Sequence, residues 1–338
     1  MARERRTFSD VDVNSLRDPM PLGFGLFGYT NTGKTWSALR VAAGIQKVFG
    51  GEVFLADTDG KRGQHYKSYF NYRYIPFPGP HNAYDYIDLL EEYERKKGVL
   101  IIDQFTEEHE GEQGLIETQQ RVTGGNKKKN AVGWAVAKDE HKKLARVVRR
   151  VMASIPLLCL WRAADKLDWK TGGEPQPLGE MPIGSRDLPF EMTMTLLLPV
   201  GARGRPLLTP DRPGECMMTK IPEQFIGLVQ QGEQLTEWHG EAMARWAMGE
   251  TLQSAAAPKM SGAACAMLER LNAINTGLEI REIKPDLERE FPRTHQDHAA
   301  LSKAFGEAVE RAKANAKRPV EPTPSEHQLE SSAPTGSE

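Results

Sequence analysis

The eight residues Gly28-Tyr29-Thr30-Asn31-Thr32-Gly33-Lys34-Thr35 constrain this chain more than any other stretch of it. They follow an apolar run over 22–27 that reads as a strand. They open a segment over 34–49 with Trp36, Leu39, Val41, Ile45 and Val48 near one side of a helix. Strand, glycine-rich turn and helix, in that order, aim backbone N–H groups at an anion, and the helix start adds partial positive charge. The stretch also fits the phosphate-binding pattern GxxxxGK[ST] at every fixed position. On that pattern Gly28, Tyr29, Thr30, Asn31, Thr32, Gly33, Lys34, Thr35 and the following Trp36 surround the phosphates of a nucleotide. Lys34 reaches the β- and γ-phosphates, and the Thr35 hydroxyl ligates Mg²⁺. Lys34 is expected to stand in solvent while the loop is empty.

Downstream, short apolar runs alternate with helical patterns. Runs over 52–56, 74–77, 99–102 and 155–161 read as strands, and 82–97 and 132–152 as helices. Continuous apolar runs such as Val99-Leu100-Ile101-Ile102 suit strands buried on both faces of a parallel sheet. The alternation predicts an α/β fold with a mainly parallel central sheet over 21–250. Residues 172–222 are rich in Gly and Pro, with strand-like pieces at 192–198 and 217–221. Terminal β-hairpins, rather than further crossovers, are predicted there. A polar leader over 1–20, a linker over 251–262, a small helical appendage over 263–318 and a disordered acidic tail over 319–338 complete the expected organisation. The appendage's helices are read at 263–275 and 298–317.

Composition excludes several classes. The 338 residues carry a net charge of −2 with 39% hydrophobic content, which suits a globular chain. No stretch approaches the ~20 apolar residues of a membrane span. Cys159, Cys216 and Cys265 are odd in number and far apart, which argues against a disulfide framework or zinc cluster and fits a reducing cytoplasm. Cys159 and Cys216 read as small buried hydrophobes. The histidines show no metal spacing, and no Ser-His-Asp arrangement can be argued. Charge is nevertheless uneven. Six acids and no base lie between Asp103 and Glu117, and eleven bases against two acids between Arg121 and Arg162.

A phosphate loop needs a carboxylate at the end of a buried strand to hold Mg²⁺ through water. Asp103, closing the Val99–Ile102 run, fills that place. Gln104 follows it, so a base for the attacking water must come from elsewhere. Asp57 and Asp59, in Ala56-Asp57-Thr58-Asp59-Gly60, end the strand after the first helix and so stand at the same sheet edge as the phosphates; Glu107 is a third candidate.

With these motifs the sequence resembles the RecA-like P-loop ATPases over roughly residues 21–240. It looks most like compact phage ATP-binding proteins that act with single-strand annealing recombination. The resemblance implies that Lys34, Asp59 and Asp103 are catalytic, although Asp59 stands where that family usually has Glu. It also implies DNA-touching loops after the Asp103 strand, here the basic stretch with Arg121, Lys127, Lys128 and Lys129, followed by Trp134. Arg162 or Lys166 would then sense the γ-phosphate. The implied ligands are ATP, Mg²⁺ and single-stranded DNA. The implied setting is a homo-oligomer working with recombination or replication proteins in a bacterial host's cytoplasm, away from membranes. Two other readings stay open: a nucleotide-gated DNA- or protein-binding module with little hydrolysis, which the shorter Asp59 favours, and an AAA+-type loader or remodeller, against which Gln104 counts. Acids 107–117 are also expected to pair with the basic stretch when DNA is absent.

Overall fold

Burial along the apolar runs dictates the sheet. Strands β1 (Gly23–Gly28), β2 (Glu52–Asp57), β3 (Arg73–Pro76), β4 (Gly98–Asp103), β5 (Leu157–Asp168), β6 (Gln176–Pro182) and β7 (Met194–Leu197) form one seven-stranded sheet in a computed structural model. The structure describes residues 9–16, 18–169, 173–250, 262–290 and 298–316. The order is β3-β2-β4-β5-β1-β7 with every neighbour parallel, and β6 pairs antiparallel with the outer half of β5. The mainly parallel α/β architecture is as the sequence predicts. β1, β4 and β7 are buried end to end.

Successive residues of a strand face opposite sides, and β4 divides them cleanly. Val99 and Ile101 join a core with Leu39, Ile45 and Met243; Leu100 and Ile102 join the other, with Tyr86, Leu144 and Val148. The first face is covered by α1 (Lys34–Phe49) and α8 (Glu237–Ala247), the second by α2 (Ala83–Glu94) and α5 (Asn130–Val151). Two short helices, α3 (Glu107–Glu110) and α4 (Leu115–Thr123), lead from β4 to α5. Two more, α6 (Asp187–Glu191) and α7 (Pro213–Met218), flank β7. α1 and α8 touch closely: a Cβ on Gly240 would lie 1.9 Å from the Val41 carbonyl oxygen. Arg40 of α1 donates to both carboxylate oxygens of Glu237, at 2.7–3.1 Å.

The predicted terminal hairpins are corrected. The 192–198 piece becomes β7, parallel to β1 and reached by a further crossover. The 217–221 piece lies mostly in or beside α7, with one bridge at Lys220. Among the described residues of this region, the one hairpin is β5–β6. It arises because β5 runs seven residues past Trp161, and from Ala164 to Asp168 it alternates half-buried with exposed positions as a half-solvated antiparallel strand does. Cys159 is buried in the second core, but Cys216 is exposed on α7, which turns it outward.

Contacts divide the chain into two compact units, Met1–Ala257 and Pro258–Glu338. Within the second, α9 (Gly262–Ala273), α10 (Gly277–Glu290) and α11 (His298–Ala316) bury Met267, Leu271, Ile274, Ile283, Leu287 and Leu301 in a core of their own. α10 was hidden in the sequence by Pro285, a helix breaker that the helix here contains. Residues 1–8 and 17 of the expected leader, 251–261 of the linker, 291–297 and 317–318 of the appendage, and the whole tail lie outside the described residues. Among the described residues no helix is long and apolar enough to cross a membrane.

Candidate functional site

The parallel register brings the strand ends to one edge. Gly28 of β1 lies level with Arg162 of β5, and Asp57 of β2 level with Asp103 of β4. From β1 the chain turns through Tyr29–Thr32 into α1. Gly33 caps α1 with φ 95°, a left-handed conformation that costs glycine little, and no side chain caps the helix start. The segment after β7 buttresses the turn from behind: the Leu198 N–H donates to the Phe27 carbonyl at 2.8 Å and the Gly204 N–H to the Thr32 carbonyl at 2.9 Å. Thr30, Asn31 and Trp36 are exposed. Tyr29 is fastened to the β5–β6 hairpin, its hydroxyl donating to Asp165 Oδ2 and accepting the Asp165 N–H, both at 3.0 Å.

Lys34 does not stand in solvent. It is 7% exposed, and its Nζ donates to the Gly28 and Tyr29 carbonyls at 2.9 and 2.8 Å. The loop's own carbonyls thus hold its lysine. Burial lowers the Lys34 pKa to about 8, with Asp103 opposing the shift and Arg162 adding to it. One residue on, Thr35 Oγ1 donates to Asp103 Oδ2 at 2.7 Å. Burial raises the Asp103 pKa to about 6, although the Thr35 hydrogen bond and the Lys34 charge pull it down.

The three candidate bases part company here. Asp57 is buried, and its carboxylate accepts the Asp59 and Gly63 N–H groups and the Tyr74 hydroxyl, each at 2.9 Å. It is a turn-holding residue. Asp59 and Glu107 instead meet Arg162, whose Nη2 lies 3.4 Å from Asp59 Oδ1 and 3.3 Å from Glu107 Oε1. Arg62 takes the other Asp59 oxygen at 3.0 Å. Of the two sensor candidates, only Arg162 reaches this cluster; Lys166 Nζ donates to the Pro182 carbonyl in the hairpin at 3.2 Å.

Two features escaped the sequence reading. Trp36 meets Tyr66, Tyr69 and Phe70 edge-on, with ring centroids 4.8–6.3 Å apart. Burial raises the Tyr66 pKa, with the neighbouring Thr35 hydroxyl opposing the shift. The i, i+3, i+4 spacing of Tyr66, Tyr69 and Phe70 was the available signal. The second feature is a buried pair, His141 Nδ1 and Glu108 Oε1 at 2.8 Å, joining α5 to α3. Its partners are 33 residues apart, and no local pattern connects them.

The basic stretch is more ordered than a glycine-rich loop. Arg121 closes α4, and Lys127–Lys129 form a single 3-10 turn, with Asn126 Oδ1 accepting the Lys128 N–H at 3.0 Å. Lys127, Lys128 and Lys129 are exposed. A shallow cavity of about 350 Å³ beside them is lined by Thr123, Gly125, Asn126, Lys127 and Asn130. Trp134 is half-buried on α5. Further along α5 half of the bases are paired, Lys143 with Asp139, Arg149 with Glu191, and Arg150 with Glu91 and Glu94, while Lys138, Lys142 and Arg146 are exposed. The acidic stretch does not face the lysine turn as expected: Glu107 meets Arg162, Glu108 meets His141, and Glu117 accepts the Gln113 N–H. No family model matches the chain, and no curated protein matches it.

Proposed function

We propose that this chain is a Mg²⁺-dependent ATP-binding protein of RecA-like type that hydrolyses ATP and acts on single-stranded DNA. The observation that carries the reading is the buried Lys34 wrapped by the loop's own carbonyls, beside the Thr35–Asp103 hydrogen bond. A buried ammonium is costly unless it serves a charge partner, and a triphosphate supplies one. On binding, Lys34 exchanges the Gly28 and Tyr29 carbonyls for β- and γ-phosphate oxygens. The uncapped N–H groups at the start of α1 meet the same phosphates. Thr35 and Asp103 present a hydroxyl and a carboxylate 2.7 Å apart, the oxygen donors that Mg²⁺ favours. The ion, when bound, neutralises charge on the phosphates. Asp59 accepts the proton of the attacking water. Arg162, still paired with Glu107, turns from Asp59 toward the γ-phosphate, which releases the Asp59 Oδ1 to act.

Arg121, Lys127, Lys128 and Lys129 would meet DNA phosphates. Association with copies of itself, with recombination or replication proteins, and action in a bacterial cytoplasm belong to the same proposal. One observation favours a second reading, a nucleotide-gated binding module with little hydrolysis: both Asp59 oxygens are held by arginines, and a paired carboxylate is a poor base. Turnover measured with and without single-stranded DNA separates the two. Asp59→Asn should spare nucleotide binding and cut turnover, whereas Asp103→Asn should weaken Mg²⁺-dependent binding. Equal effects of both changes on affinity would remove the division of labour.

A further inference from the structure

α3 is one helical turn, too short to hold its own shape, so tertiary contacts set where its side chains stand. Its consecutive glutamates serve different neighbours. Glu107 lies 3.3 Å from Arg162 in the cluster beside the phosphate loop. Glu108 is 2.8 Å from His141, with both side chains 2–3% exposed. A second tie holds the turn's start, where the Thr106 hydroxyl accepts the Arg162 N–H at 2.8 Å.

His141 stands on α5, eleven residues beyond Asn130, so about 16 Å of rigid helix separates it from the exposed lysine turn. A pair kept for stability alone is readily replaced by apolar side chains. This one leaves a defect: His141 Nε2 is buried without a hydrogen-bond partner, and Asp187 Oδ2 of α6 comes no nearer than 4.0 Å. Burial works against a charged His141 ring, yet the hydrogen bond and charge of Glu108, helped by Asp187, raise its pKa.

We propose that Glu108 and His141 are a positioning pair that holds Glu107 against Arg162 and couples this cluster, along α5, to the Lys127–Lys129 turn. The inference rests on reading the Gly28–Thr35 loop as a nucleotide site. Neither residue touches a reacting atom. They act through Glu107 and Arg162, so that nucleotide arriving at Arg162 is felt at the basic turn, and the reverse.

The test uses the full chain as wild type, His141→Asn, and the double variant Glu108→Leu with His141→Leu. The asparagine keeps a donor where Nδ1 stands; the double variant replaces the pair with apolar bulk and leaves no buried charge. Affinity for a non-hydrolysable ATP analogue with Mg²⁺, steady-state turnover of ATP, and amide exchange over residues 127–141 with and without the analogue are measured. In wild type the analogue should change exchange over 127–141. The double variant should bind the analogue within about threefold of wild type. It should lose that exchange response and lower kcat roughly ten- to a hundredfold with little change in KM. His141→Asn should restore both. A double variant with wild-type turnover and exchange response would make the pair merely structural and overturn the inference. Analogue binding in wild type with no change over 127–141 would overturn the coupling alone. Absence of analogue binding in wild type would overturn the nucleotide reading, and the inference with it.

Discussion

Asp57 and Asp59 stand two residues apart at a strand end and have different partners, backbone N–H groups and a tyrosine for the first and two arginines for the second. The sequence places both at the edge where the parallel strands of the sheet end. It does not separate them, since that depends on which carboxylate Gly63 and Tyr74 reach, and these lie 6 and 17 residues from Asp57. Asp57→Ala strands three donors and should destabilise the fold by at least about 2 kcal/mol in chemical denaturation. Asp59→Asn, in a half-buried ion-pair cluster open to solvent, should stay within about 1 kcal/mol. A reversal would mean that Asp59 is the structural residue. Lys34 was legible as a residue but not in its resting place. Motif spacing reports the bound geometry, and only the folded loop shows the lysine held by Gly28 and Tyr29 carbonyls.

At the scale of elements, runs buried on both faces were easy to read, and β1, α1, β2 and β4 stand within a residue or two of the expected bounds. β7 was misread because Gly- and Pro-rich flanks suggest hairpins, whereas partner choice is set by β1's open edge. α8, unremarked in the sequence, covers one face of the sheet through two details that carry predictions. Gly240→Ala puts a methyl 1.9 Å from a backbone oxygen and should cost about 2–3 kcal/mol, read as a lower melting temperature. His239 caps the same helix, its Nδ1 accepting the Thr236 N–H at 3.0 Å. Burial, with the Arg40 charge adding, lowers its pKa from 6.5 to about 4. In that window the unfolded chain binds a proton that the folded one refuses. Stability is therefore full above pH 6.5 and falls as pH drops toward 4, by up to about 3 kcal/mol. His239→Asn keeps an acceptor that does not titrate and should flatten that part of the pH–stability curve. An unchanged slope would assign the acid sensitivity to other groups.

Across the whole molecule, net charge is uninformative and its distribution is not. The basic run from Arg121 to Arg162 reads as one surface, but ion pairs engage Lys143, Arg149, Arg150 and Arg162, whereas Lys138, Lys142, Arg146 and the lysine turn are exposed and form no salt bridge among the described residues. Pairing partners such as Glu91 and Glu191 are remote in sequence, which is why this was not legible. Replacing Lys127, Lys128 and Lys129 with Ala should reduce the slope of log K against log salt for single-stranded DNA by about 2, at ~0.7 per phosphate contact. An unchanged slope would give the turn to a protein partner or to solvent. The most direct test of the proposed activity is ATP turnover by the full chain with Mg²⁺, with and without single-stranded DNA, beside Lys34→Ala. The expected result is turnover in the wild type that rises with DNA and vanishes in the variant, whose thermal unfolding stays cooperative. Turnover that survives the loss of Lys34 in a folded protein would contradict a nucleotide site at this loop.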